Sequence, residues 1–168
     1  MCNEFKKEDF VVYGKNGVCE IEDVKTMDFA GEKGEYYILK PQSSQSSTVY
    51  VPSNKETLVS KMRPVMTKKQ IDDLLASAHE DSMEWIEVKN ERLEKFNSIV
   101  SSGDSKAILT LIMCIYLKKQ EREALGKHLS STDDNILRVA MELIEEEISF
   151  ALGCSLDKVT EYIKKKIK

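Results

Sequence analysis

The sequence predicts an α+β chain: a small SH3-like or Tudor-like β barrel over residues 1–65, then a bundle of about five helices over residues 66–168. Three observations predict it. Up to Val65 the apolar residues fall in short β-branched and aromatic runs separated by Gly, Pro and Ser, the mark of strands and tight turns. At Thr67 the apolar period changes from two to 3.6. Between the two regimes there is no low-complexity linker, so the hinge falls near Arg63 to Thr67.

The strands follow in order. Phe10-Val11-Val12-Tyr13 runs into the turn signal Gly14-Lys15-Asn16-Gly17. Val18 to Val24 follows, with Cys19 and Ile21 alternating with Glu20 and Glu22, which is how a half-buried strand reads. Asn16-Gly17 tolerates positive φ, so the two runs form a hairpin. Lys25 to Gly34, with two glycines among charges, reads as a loop. Glu35 to Lys40 is aromatic and β-branched, hence a strand, and Pro41 stops it. Gln42 to Ser47 is a polar turn. Thr48 to Val51 is a fourth strand ended by Pro52, and Lys61 to Val65 supplies a short last one, with Pro64 near its end. So many short strands in one small domain leave long bare edges unless the sheet curls into a barrel.

Helical periodicity then takes over. Thr67-Lys68-Lys69-Gln70 fits a capping box, and Ile71, Leu74 and Leu75 make a short apolar stripe broken at His79-Glu80-Asp81-Ser82. A second helix is expected from Met83 to Val100, with Ile86, Lys89, Leu93, Phe96 and Val100 on one face and Trp85 in its first turn. Ser101-Ser102-Gly103-Asp104 ends it and caps a third, Ser105 to Glu123, the most apolar, carrying Ile108, Leu109, Leu111, Ile112, Ile115 and Tyr116. Ser131-Thr132-Asp133-Asp134 caps a fourth, which runs to Leu152 with Gly153 as its C′ residue. A last helix spans Leu156 to Lys164, with Ile167 extending its stripe and Lys164–Lys166 suiting the C-terminal dipole.

Composition excludes several classes. The chain has 168 residues, 41% hydrophobic and 32% charged, with net charge −4. No run approaches the ~20 apolar residues of a membrane span, and the N-terminus has no secretory h-region; the expected place is the cytoplasm. Residues 1–64 hold nine Lys/Arg against ten Asp/Glu, residues 65–168 sixteen against nineteen. Neither half is basic, so a generic electrostatic grip on DNA is not expected. Cys2, Cys19, Cys114 and Cys154 form no CxxC pair and read as small buried hydrophobes plus one exposed N-terminal thiol. His79 and His128 are isolated surface or cap residues. No Gly-rich phosphate loop, HExxH or GxSxG occurs, so neither an enzyme nor a metal or cofactor is expected. Glu145-Glu146-Glu147 reads as a solvated helix face.

Phe10-Val11-Val12-Tyr13, Gly17-Val18, Glu35 to Lys40 and Val49-Tyr50-Val51-Pro52 resemble the N-terminal domain of the CarD/CdnL family of bacterial transcription regulators, a module related to one in the transcription–repair coupling factor. Trp85, Leu93-Glu94-Lys95, Ser102-Gly103-Asp104, and Ala140 with Leu143 are similar to its helical domain. The resemblance implies a barrel that binds the β subunit of RNA polymerase, with Met27, Val49, Tyr50 and Val51 at the contact. It also implies a helical domain that meets promoter DNA at the upstream bubble edge through Trp85, with Lys89 and Arg92 as phosphate contacts and Trp85 as a minor-groove wedge. The chain is then a monomer whose weak DNA contact depends on polymerase.

The chain departs from that family pattern. Glu87 and Glu91 follow Trp85 where relatives are basic. Met27 and Tyr50 stand where relatives use arginines. Gly14-Lys15-Asn16 replaces a turn with proline and histidine. Two readings therefore stand side by side: a regulator bridging polymerase and promoter, and a polymerase-binding adaptor without significant DNA affinity. Trp85 itself reads either as the wedge or as a packing residue, since one indole buries a large apolar area.

Overall fold

The structure, a computed structural model, describes residues 4–167, with the side chain of Ile167 left out. The N-terminal thiol expected at Cys2, and the place of Ile167 on the last apolar stripe, lie outside what is described. The chain divides into two compact units at Val65/Met66: a five-stranded antiparallel sheet, then a helical bundle.

The first unit contains β1 (Phe10–Tyr13), β2 (Val18–Phe29), β3 (Glu32–Pro41), β4 (Val49–Pro52), a one-turn helix α1 (Glu56–Val59) and β5 (Met62–Pro64). The strand order is β4-β3-β2-β1-β5. The first hairpin closes through a 3₁₀ turn, Gly14–Asn16, with Tyr13 N donating to Gly17 O at 3.0 Å. The positive φ falls on Gly14 (50°) and Gly17 (69°) rather than on Asn16, as the absence of a Cβ favours. Val11, Cys19, Ile21, Leu39, Val51 and Met62 form the core.

Two features of β2 correct the sequence reading. It does not stop at Val24. Ala30 (φ 52°) and Gly31 (φ 86°) make a tight two-residue turn, so the expected loop from Lys25 to Gly34 is a continuous ladder pairing Lys25 with Tyr36 and Phe29 with Glu32. The strand also carries a bulge: Ile21 pairs with Leu39 and Asp23 with Ile38, leaving Glu22 as the extra residue. A bulge bends its strand and increases its twist, which helps the sheet curl. It also returns Val24 to the core side beside Cys19 and Ile21, and sends Lys25, Met27 and Phe29 to the other face. The sequence reading contained no element at α1; its Leu58 and Val59 pack on the core.

The second unit contains α2 (Lys68–Ala76), α3 (Lys89–Ser102), α4 (Ser105–Ala124), α5 (Ser131–Leu152) and α6 (Leu156–Ile167). Its caps follow the sequence signals closely. Thr67 and Gln70 form a reciprocal capping box, Asp104 caps α4, and Gly103 (φ 71°) and Gly153 (φ 62°) end α3 and α5 in the left-handed conformation. Ile71 and Leu75, Phe96, Leu111 and Ile115, Ile148 and Val159 are fully buried, so every helix contributes to one core.

Four expectations change here. The second helix begins at Lys89, not Met83, so Trp85 lies in a non-helical approach. The cap of α5 is Ser130, whose hydroxyl accepts from Asp133 N. Tyr116 is exposed on the outer side of α4. Glu147 is no solvated residue: it is 2% exposed, and its carboxylate accepts hydrogen bonds from Met66 N at 3.0 Å and Ser105 Oγ at 3.2 Å. Helical period explains it, because Glu147 follows the buried Ala140 and Ile144 on the same stripe.

Candidate functional site

The barrel presents an aromatic surface on the outer face of its sheet. Register places Met27 opposite Gly34, Lys25 opposite Tyr36, and Ile38 opposite Tyr50, so Met27, Phe29, Tyr36, Ile38 and Tyr50 share one face. Phe29 is the centre of it. Its ring lies 5.9 Å from Tyr36 and 5.3 Å from Tyr50, tilted by 42° and 44°. Phe29 is 47% exposed and Tyr50 41%; two neighbouring aromatic rings this open form a patch with apolar area to bury.

That patch borders an unpaired edge. Among the described residues β4 pairs only with β3, so its far side offers backbone N–H and C=O groups to an added strand. Of the residues implied for this contact, Met27 is half-buried and Tyr50 exposed on the shared face. Val49 and Val51 are not side-chain contacts: Val51 is fully buried and Val49 packs on the core. Only their backbone lies on the edge.

In the helical unit, Trp85 sits in the non-helical segment before α3, partly buried against the core. Its ring meets Phe96 edge-on, with centroids 5.7 Å apart and planes at 69°. The Arg92 guanidinium carbon lies 4.6 Å from the indole centroid and Lys118 Nζ 5.7 Å, both within cation–π range. The indole Nε1 is buried without a hydrogen-bond acceptor.

Arg92 is therefore not a phosphate contact. It is 6% exposed, and its Nε and Nη2 each donate at 3.0 Å to the two oxygens of Asp133. Its Nη1 donates to the carbonyls of Ile86 at 2.9 Å and Glu87 at 3.2 Å. Taking both charges out of water is costly, and bidentate geometry with four hydrogen bonds from the one guanidinium is what offsets it. Burial pushes the Asp133 carboxyl up, but the hydrogen bonds from Arg92 and Ser130 outweigh it and hold the carboxyl below its ordinary value. Lys89 is exposed at the start of α3.

Sequence reasoning missed three residues here. Phe29 was hidden in a presumed loop. Asp133 looked like part of a cap. Lys118, on the second-last turn of a helix read for its apolar stripe, reaches the indole and also lies 3.7 Å from Glu87 and 3.3 Å from Glu121. No motif could have linked residues so far apart in the chain.

Comparison with known proteins bears on the first unit. Residues 5–66 match the family model of the CarD-like/TRCF RID domain. No curated protein matches the chain. No described helix is long and apolar enough to cross a membrane. The first unit, whose five strands and exposed aromatic face span the matched residues, is therefore similar to the CarD-like/TRCF RID domain, a transcription-associated protein-interaction domain with RNA polymerase as its partner.

Proposed function

We propose that this protein is a non-enzymatic transcription regulator that docks on the β subunit of RNA polymerase through the β4 edge and the Phe29–Tyr50 face, and meets promoter DNA at the upstream bubble edge through Trp85. It acts in the cytoplasm as a monomer held at promoters by polymerase. The observation that carries the reading is the exposed aromatic patch beside an unpaired strand edge. Backbone pairing tolerates the loss of the relatives' arginines, because it depends little on side-chain identity, and Phe29 with Tyr50 supplies apolar area in place of charge. Tyr50→Glu places an unpaired carboxylate in that contact. In a pull-down with full-length protein, Tyr50→Glu is expected to lose polymerase β subunit that the wild type retains. Retention at wild-type strength would remove this face from the interface.

One observation favours the adaptor reading instead. Glu84, Glu87 and Glu91 surround Trp85 in sequence, the helical unit is net −3, and Arg92 is committed to Asp133. Weak DNA affinity suffices only where polymerase supplies a high effective concentration. Binding to a forked promoter fragment, with and without polymerase, separates the two: the regulator binds the fork only with polymerase, the adaptor in neither case.

A further inference from the structure

Resting on the reading of Trp85 as the DNA-contacting side chain, we propose that Arg92 and Asp133 are positioning residues, a clamp that fixes the indole in its presenting orientation before DNA arrives. The segment from Asp81 to Val88 has no helical register of its own, so nothing in its local backbone sets where Trp85 points. The indole does not hold itself either, since its buried Nε1 donates to no acceptor. Its position comes from its neighbours.

Arg92 is built to be the chief one. A single guanidinium grips Asp133 with two donors, holds the carbonyls of the two residues that follow Trp85 with a third nitrogen, and lies across the indole ring. A planar fork can do all three at once; the point charge of a lysine cannot. Asp133 is fixed in turn, because Ser130 Oγ donates to it at 2.6 Å and its own backbone N–H donates back to that hydroxyl. The chain of support thus runs from the cap of α5 through Asp133 and Arg92 to Trp85. Phe96 completes the seat from below with a T-shaped contact. Ordering a side chain in advance removes that entropic cost from the binding step, which matters most for a contact whose electrostatics are unfavourable.

Trp85 is the only tryptophan in the chain, so its fluorescence reports the clamp directly. Arg92→Lys keeps the charge and loses the fork; Asp133→Asn keeps the shape and loses the anchor. Both are measured below their melting temperatures, by emission maximum, acrylamide quenching and open-complex lifetime with polymerase. Expected for either folded variant are a red-shifted emission, stronger quenching, and a lifetime shortened towards that of Trp85→Ala. Adding Trp85→Ala to either variant should then shorten the lifetime no further. Unchanged quenching in both variants, or lifetime losses that multiply in the double variants, would overturn the clamp. A loosened indole together with a Trp85→Ala protein of wild-type lifetime would instead overturn the DNA reading beneath it, leaving the pair a packing feature.

Discussion

The hydroxyl of Tyr162 on α6 donates a hydrogen bond to the carboxylate of Asp72 on α2, and Lys166 Nζ stands 3.4 Å from the same carboxylate. The bond raises the Tyr162 phenol to about 12 and lowers the Asp72 carboxyl. The signs give two pH limits. A phenol whose folded pKa is raised contributes stability below its unfolded value near 10, lost as pH climbs towards about 12. A carboxyl whose folded pKa is depressed contributes above its unfolded value, and that is lost as pH falls through the folded one. Between these limits the helical unit keeps both contributions. Tyr162→Phe should lower its melting temperature at neutral pH and flatten the alkaline decline; an alkaline limb identical to the wild type's would show that other groups set it.

Phe29 and Tyr50 should act together on polymerase. Each ring supports the other's orientation, so Phe29→Ala weakens binding even if Phe29 itself touches nothing on the partner. Hot-spot aromatics cost ~2 kcal/mol or more on truncation. Phe29→Ala and Tyr50→Ala are each expected near that value, with a double variant worse than either but short of their sum. Because the proposed contact is apolar, affinity should fall only slightly between low and physiological salt. Titration calorimetry at two salt concentrations checks both statements, and a steep salt slope would point to charge pairing instead.

Trp85 packs on Phe96 in this structure, and two substitutions separate that packing from the DNA contact proposed for it. Trp85→Ala removes a ring packed on Phe96, with a cavity cost of ~3 kcal/mol, the low end for aromatic truncation because the indole is only partly buried. Trp85→Phe keeps the apolar body and also removes the orphaned N–H, so it should cost under ~1.5 kcal/mol. The open-complex lifetime should fall for both if the indole itself contacts DNA. A lifetime that tracks melting temperature across the pair would assign Trp85 to packing alone.

Ala30 carries φ 52° at the β2–β3 turn. An L residue with a Cβ is strained there by roughly 1–2 kcal/mol, while glycine adds back less than that in unfolded-chain entropy. Ala30→Gly should therefore stabilise the barrel by about 0.5–1 kcal/mol, visible as a higher chemical-denaturation midpoint with an unchanged slope.

Most of the fold was legible because local signals agreed with the global one. The Thr67–Gln70 box, the Asp104 cap and the terminal glycines sit where their residue types require them. Failures came where tertiary contacts overrode local pattern. Ala30-Gly31 turns a chain that Gly34 seemed to break, because Gly34 lies inside a ladder. Met83 to Val88 has helical spacing, yet the carbonyls of Ile86 and Glu87 are taken by Arg92 from outside. Glu147 reads as surface until its partners, Met66 and Ser105, are brought to it. The site was legible only in part. Tyr50 and Trp85 stand out by residue type, whereas Arg92 revealed its charge and not that Asp133 uses it up.

The extra residue at Glu22 makes β2 a strand with two reading frames. Ahead of it, odd-numbered positions face the interior; beyond it, odd-numbered positions face outward. The stretch that builds the barrel and the stretch proposed to meet polymerase can therefore drift independently: Lys25, Met27 and Phe29 can change in chemistry without disturbing Cys19 or Ile21. Such a module can be refitted from a charged contact to an aromatic one by substitution alone. A single-residue deletion at Glu22 leaves those faces as they are, because Asp23 then follows Ile21 in plain alternation and still meets Ile38. What it takes away is the bulge itself, and with it the bend and added twist that help the sheet curl.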